Sequence, residues 1–365
     1  VVENPTPTVE PIKLEFSPFD YRAEMIGGNV NGIIQLHKLH NQYWNYSSDK
    51  GAIIGEIKVL NPDETNTSLK AGDFKLDESM EKYFEIKEVN GHFLLKLQDS
   101  YHLQMHDGLP KLFQTGDYPI KQPAIPKFDE EWNLTVSLDN DTATPNVLEV
   151  TVATAHVIEN NRWNHYNEFV LSKNHGKNAT VLGSEGKDEI TVTAGRSFKL
   201  IHSGDSDDTI RISSNSFELG DRVIHGGDGH DKLILGSWNH KSNNKVFDFT
   251  QSNGENLKSI ENIVLSNHNS TLKINIEDVL NLLKTSENGQ LKITGNGNKH
   301  QNSKVEFMHG DEKTTLKNYD GDGGNFDQKM KFQGNKGYIE TIAERNYYVF
   351  EHDLGQVLVD VNLIG

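Results

Sequence analysis

Cysteine is absent from all 365 residues. No disulfide can staple this chain, and no thiolate can serve as nucleophile or soft-metal ligand. A secreted eukaryotic protein of this length would be expected to carry some disulfides, so the lack fits a bacterial extracellular protein stabilised by metal. No apolar run is long enough to span a bilayer, and no signal peptide is seen. Basic charge is scarce: 36 Lys and Arg face 53 Asp and Glu, a formal charge of −17. So acidic a chain is a poor partner for nucleic acid or an anionic membrane, and its surplus carboxylates suit bound divalent cations. Two catalytic signatures are missing too. No H-E-x-x-H places a zinc ion, and no G-x-S-x-G forms a nucleophile elbow. The sequence lacks an initiator Met and opens on Val1-Val2-Glu3-Asn4-Pro5-Thr6-Pro7-Thr8, which reads as a linker over residues 1–10 of a piece of a longer protein.

What is present is a turn pattern in three copies. They are Gly183-Ser184-Glu185-Gly186-Lys187-Asp188, Ser203-Gly204-Asp205-Ser206-Asp207-Asp208 and Gly226-Gly227-Asp228-Gly229-His230-Asp231. Two residues after each closing Asp comes an aliphatic residue, Ile190, Ile210 or Leu233. The Asp-to-Asp spacings of 20 and 23 residues match one two-stranded coil of a β-solenoid. Glycines let the chain turn tightly and bring carbonyls near an ion. A carbonyl-rich turn closed by a carboxylate supplies the roughly six to eight oxygens that Ca²⁺ takes. Strands are expected at 189–193, 198–202, 209–213, 222–225 and 232–235, with turns near 194–196 and 215–220.

These copies resemble the G-G-x-G-x-D-x-U-x repeat of RTX (repeats-in-toxin) proteins. The resemblance implies a parallel β-roll over 161–240, with calcium along one edge in about two sites between three stacked turns. The residues implied are Gly183, Gly186, Asp188, Ser203, Asp205, Asp208, Gly226, Asp228, Gly229 and Asp231. The copies depart from the repeat at Ser184 and Ser206, and three ordinary Asp/Gly hairpin turns would look similar. Type I export to the bacterial cell surface is implied as well.

Residues 11–160 alternate as a β-sandwich does, in segments such as 53–59, 83–86, 92–97, 134–138 and 147–152. Gly55-Glu56-Ile57-Lys58-Val59 before Asn61-Pro62-Asp63, the pair Phe84-Glu85-Ile86 and Gly91-His92-Phe93-Leu94, and Phe128-Asp129-Glu130-Glu131 resemble motifs of cadherin-like domains. The last stands where that family carries L-D-R-E, which implies calcium ligands at Asp129 and Glu131, with Asp63 a further candidate. Asn61 replaces the first Asp of the family's D-x-D, and a solvated acidic turn fits these residues equally well.

Two stretches exceed a minimal sandwich: 35–50, with His37, His40, Tyr43, Trp44 and Tyr46, and 101–127. Both read as insertions, and loops on a rigid scaffold often carry binding residues. Exposed Trp44 and Tyr46 would suit a sugar ring or a peptide end; the alternative is that the aromatics pack the loops down. His102 and His106, at i, i+4 and followed by Asp107, could share a helix face and a ligand, although such histidines are more often plain surface residues.

Beyond the roll, 241–365 reads as a β-rich cap. It carries a helix at 276–284 capped by Asn275, with Ile276, Val279, Leu280 and Leu283 on one face. Ser259-Ile260-Glu261-Asn262-Ile263 and Leu291-Lys292-Ile293-Thr294-Gly295 resemble the segment after the repeats in large bacterial RTX adhesins. Asp320-Gly321-Asp322-Gly323-Gly324-Asn325-Phe326-Asp327 opens like an EF-hand, but Lys331 stands where the bidentate Glu belongs.

The expectation is thus an all-β chain: a cadherin/Ig-like β-sandwich with insertions, then a short calcium-binding parallel β-roll and a capping region. Its expected role is non-catalytic adhesion to a cell-surface glycan, protein or peptide, for attachment or biofilm formation, with no membrane insertion and as a monomer. The alternatives are a purely structural extender of such an adhesin, or an RTX-associated hydrolase using carboxylates such as Asp129 and Glu131.

Overall fold

The computed structural model describes residues 12–38, 46–60, 69–106, 109–114, 131–138, 146–159, 167–171, 178–193, 198–214, 216–236, 245–252, 255–266, 269–295, 302–309, 312–314, 339–342, 345–352 and 354–363. The chain is mostly β and divides into two compact units, Val1–His156 and Val157–Gly365.

The first unit begins with β1 (Lys13–Pro18), a short α1 (Ala23–Ile26), β2 (Val30–Lys38), β3 (Tyr46–Ser47) and β4 (Ile53–Leu60). Next come β5 (Phe74–Leu76), β6 (Phe84–Val89), β7 (His92–Leu97), β8 (Tyr101–His106) and β9 (Leu109–Gln114). It closes with β10 (Glu131–Leu138) and β11 (Asn146–Val157). One antiparallel sheet has the order β1–β4–β7–β6. The other runs β5–β10–β11–β2–β3–β8–β9, and within it β11 and β2 lie parallel. Period-two alternation directs the packing: Trp132, Leu134, Val136 and Leu138 of β10 are buried while Asn133 and Thr135 face out. The stretches that read as insertions meet each other. β3 pairs with β8, so the described parts of both stretches belong to the second sheet.

The second unit contains β12 (Asn167–Leu171), β13 (Ala179–Ser184), β14 (Asp188–Thr193), β15 (Phe198–Gly204), β16 (Thr209–Ser213) and β17 (Ser216–Glu218). Then come β18 (Val223–His225), β19 (Lys232–Leu235), β20 (Lys245–Asp248), β21 (Leu257–Lys258), β22 (Asn262–Leu265) and β23 (Ser270–Asn275). After α2 (Ile276–Thr285) follow β24 (Gln290–Gly295), β25 (Lys304–His309), β26 (Glu312–Thr314), β27 (Ile339–Ile342), β28 (Arg345–His352) and β29 (Gly355–Asp360).

These strands fall into three parallel ladders. β13, β15, β18 and β21 make one; β12, β14, β16, β19, β22, β24 and β29 make the second; β17, β20, β23 and β25 make the third. The chain visits two ladders per circuit up to β16 and all three from β17 to β23. Ser216–Glu218, expected as a turn, is the strand that opens the third ladder. Identical chemistry stacks at each level: Phe169, Ile190, Ile210, Leu233, Ile263, Ile293 and Val359 form one column in register, all buried. The ladders run without interruption from the repeats into 245–295. After β23, α2 follows where the chain would otherwise return to the first ladder. Asn275 has an extended N-cap backbone, but its amide donates to the Thr250 carbonyl at 2.7 Å instead of capping the helix. Antiparallel strands close two ladders, β26 on β25 and β28 with β27 on β29.

Candidate metal centre

The three turns join the first ladder to the second, and the parallel register stacks them. Gly183, Ser203, Gly226 and Ser259 form a column at the end of the first ladder. Asp188, Asp208, Asp231 and Glu261 form another at the start of the second. Asn167 precedes this acidic column and Leu291 follows it, so it has a defined length.

Each of the last three acids caps the coil before it. Asp188 N–H donates to Asp208 Oδ1 at 2.7 Å, Asp208 N–H to Asp231 Oδ1 at 2.8 Å, and Asp231 N–H to Glu261 Oε2 at 2.7 Å. All four side chains are buried, with Asp208 1% and Glu261 8% exposed. The second oxygen differs along the column. Asp188 Oδ2 accepts the Ser184 N–H at 2.7 Å. Asp208 Oδ2, Asp231 Oδ2 and Glu261 Oε1 are buried and accept nothing. The Ser203 hydroxyl, beside Asp208, gives its proton to the Gly226 carbonyl at 2.6 Å.

Close approach explains the glycines. A Cβ on Gly226 would stand 1.8 Å from Ser259 O and 2.2 Å from Asp231 Oδ2; one on Gly183 would meet Ser203 O at 1.7 Å and Asp188 Oδ2 at 2.8 Å. Carboxylate and carbonyl oxygens of successive coils thus converge over a bare Cα. Ser206 takes the left-handed conformation, φ 78°, that the repeat assigns to Gly, as Gly229 does at φ 120°.

Burial raises the carboxyl pKa of Asp208 to about 9, and of Asp231 to about 8, with repulsion from neighbouring acids adding to it. Burial pushes Glu261 up as well. An unpaired buried carboxyl must either keep its proton or find a cation. The donors here are oxygens alone, from carboxylates and main-chain carbonyls, which suits a hard cation such as Ca²⁺ and not a thiolate- or imidazole-seeking metal. Among the described residues no three His, Cys, Asp or Glu side chains converge on one point.

The other expected ligands have different places. Asp205 and Asp228 are exposed on the outer side of the turns, and Gly186 is half-buried. Glu131 opens β10 half-buried, opposite Ala153. Asp63, Asp129, Trp44 and the acidic loop 320–327 lie outside the described residues. His102 and His106 do not share a helix face. They lie in strand β8, where four residues span roughly 13 Å, too far to grip one ion. Alternation decides this: Tyr101, Leu103 and Met105 are buried and His102 lies between them, its pKa lowered by burial. Tyr46 is not an exposed platform; it is 5% exposed, packs edge-on to His156 at 4.5 Å, and burial drives its hydroxyl pKa upward.

Glu261 escapes the Gly-rich turn pattern, because its coil carries no such turn. The signal was there: Glu261-Asn262-Ile263-Val264-Leu265 repeats the acid-x-aliphatic spacing of Asp231-Lys232-Leu233-Ile234-Leu235. Beside the turns, His202 and His225 stack at 4.2 Å and 9°, and burial lowers each to about 4, with mutual repulsion adding to the shift of His225. Compared with protein-family models, curated proteins and solved structures, the chain finds no match.

Proposed function

We propose that this chain is a calcium-dependent, non-catalytic adhesion module of a large bacterial RTX adhesin, exported by type I secretion and displayed outside the cell. In this reading the stacked turns are an RTX β-roll, 241–365 completes and caps it, and 11–160 is a cadherin/Ig-like sandwich that holds a cell-surface ligand. The observation that carries the proposal is the column of buried acids in which Asp208, Asp231 and Glu261 each keep an oxygen without a partner.

Calcium, when bound, would neutralise these carboxylates and bridge successive turns. Asp208, Asp231 and Glu261 would hold it, with carbonyls of the turns such as Ser203 O and Ser259 O. The chain's own contribution is order: Asp208, Asp231 and Glu261 each tie their coil to the previous one through a backbone N–H, so relieving the acid column stiffens the stack. A second reading, a purely structural extender of the same adhesin, draws support from the burial of Tyr46, which removes one aromatic from the expected binding loops.

Two measurements test the proposal. Melting in millimolar calcium and in chelator should show a large calcium-dependent rise that Asp208→Ala reduces; an undiminished rise would count against the acid column. A glycan and peptide array probed in both conditions separates the readings. A selective hit supports adhesion, whereas silence from a calcium-stabilised chain supports the extender.

A further inference from the structure

An open trough of about 760 Å³ crosses the outer face of β2, β10 and β11 in the first unit. Its chemistry narrows what it can take. The polar side chains it presents are Asn29, Asn31, Asn133, Thr135 and Thr151, with Glu149 the single charge among the described residues. Among the described residues no Lys or Arg lines it, so a phosphate backbone or an anionic headgroup finds no countercharge there. Leu134 and Val150 are buried beneath the trough and Val30 is its one half-buried apolar side chain among the described residues, so an apolar peptide or acyl chain would find little to pack against. Neutral amides and hydroxyls around one carboxylate suit a neutral, polyhydroxylated ligand.

The groups are held in advance. β2 and β11 slip register between Thr151 and Val152, and Asn31 sits at the slip. Its Oδ1 accepts the Thr151 N–H at 2.8 Å, standing in for a strand carbonyl, and this fixes which way its amide faces. Thr151 Oγ1 donates to Asn133 Oδ1 at 2.8 Å, leaving the Asn133 NH₂ directed away from that bond. Thr135 lies opposite Glu149 and Asn133 opposite Thr151, so neighbouring groups stand about 5 Å apart, within reach of hydroxyls on one hexose. Strands fix these positions more tightly than loops would.

We infer that this trough is a saccharide-binding site for neutral hexose or deoxyhexose glycans, with Asn133, Thr135 and Glu149 as its contact residues. The inference rests on the adhesin reading for its setting and names the ligand class within it. Among the described residues no aromatic ring lines the trough, so a single site should bind weakly, on the order of millimolar.

The test uses the full chain on immobilised neutral di- and trisaccharides, with sialylated glycans as controls. Saturation-transfer NMR on the bound saccharide follows. Asn133→Ala should weaken binding about five- to tenfold. Thr135→Tyr should fill the trough and abolish it, while Phe19→Ala, at the exposed aromatic 69% open to solvent, should change nothing. Both trough positions are exposed, so unchanged melting certifies folding. If Asn133→Ala or Thr135→Tyr binds as wild type, or Phe19→Ala abolishes binding, the assignment is overturned. A wild-type chain that ignores every saccharide also overturns it; a calcium melting shift in that same sample would leave the acid column standing by itself.

Discussion

Raising the pH of the calcium-free protein should destabilise it in a window set by four side chains. Asp208 and Asp231 hold protons in the folded state up to about 9 and about 8, whereas the ordinary value is 3.8. Above pH 3.8 the unfolded chain releases protons that the folded chain retains, so stability falls as pH climbs towards 8 or 9. His202 and His225 act in the opposite sense. Folded they titrate at about 4 and unfolded at 6.5, so stability rises with pH between those values. Below pH 6.5 the two pairs largely cancel, with Asp278, raised by burial to about 6, tilting the balance downward. Above pH 6.5 only the carboxyls remain. Each can remove at most about 1.4 kcal/mol per pH unit, about 2.7 kcal/mol for the pair. For a unit of this size 1 kcal/mol moves Tm by roughly 2–4 °C, so one pH unit should lower it by roughly 5–10 °C. Calorimetry in a chelator at pH 6.5 and 7.5 reads this directly. If calcium occupies the column as proposed, the folded carboxylates are ionised in saturating calcium and the slope should vanish. A chelated protein whose Tm stays level or rises between those pH values would refute the reasoning, because the buried acids would then titrate like exposed ones.

Other outcomes follow from the same column. Asp208→Asn keeps an acceptor for the Asp188 N–H and should change chelated stability by under about 1 kcal/mol while cutting the calcium melting shift; Asp208→Ala strands that N–H and should cost about 1–3 kcal/mol in chemical denaturation. Glu261→Gln should leave chelated stability near wild type but lower the number of calcium ions counted per chain by equilibrium dialysis. Gly226→Ala drives a methyl against Ser259 O and Asp231 Oδ2 and should cost more than about 2 kcal/mol, whereas Gly72→Ala, with open space around it, should be neutral within about 0.5 kcal/mol. Leu233→Ala, at the centre of the aliphatic column, should cost about 2–5 kcal/mol in the same assay.

The second unit was legible wherever a residue repeats at coil spacing. Asp188, Asp208 and Asp231 announce their register because each needs the same turn before it and the same aliphatic residue two places after. Ser216–Glu218 gave no such warning. Three residues cannot display a period, and the parallel partner that makes them a strand lies about one coil later, at Val246–Asp248. The spacing of His102 and His106 fits a helix or a strand equally, and the choice fell to Leu103 and Met105, whose burial belongs to the sheet as a whole. The trough was invisible for a similar reason. Asn31, Asn133 and Thr151 are scattered in sequence and share a surface only once β2 and β10 flank β11.

The direction of the acid-to-amide bonds gives the stack a polarity in time. Asp188 N–H waits for Asp208, Asp208 N–H for Asp231, and Asp231 N–H for Glu261; each coil is completed by the one that follows it. A chain emerging from its N-terminus therefore exposes, at every length short of Glu261, one coil whose amide has no acceptor. Closure can then follow synthesis, each coil setting when the next acid arrives, and the coil of Asp231 sets last, when Glu261 appears.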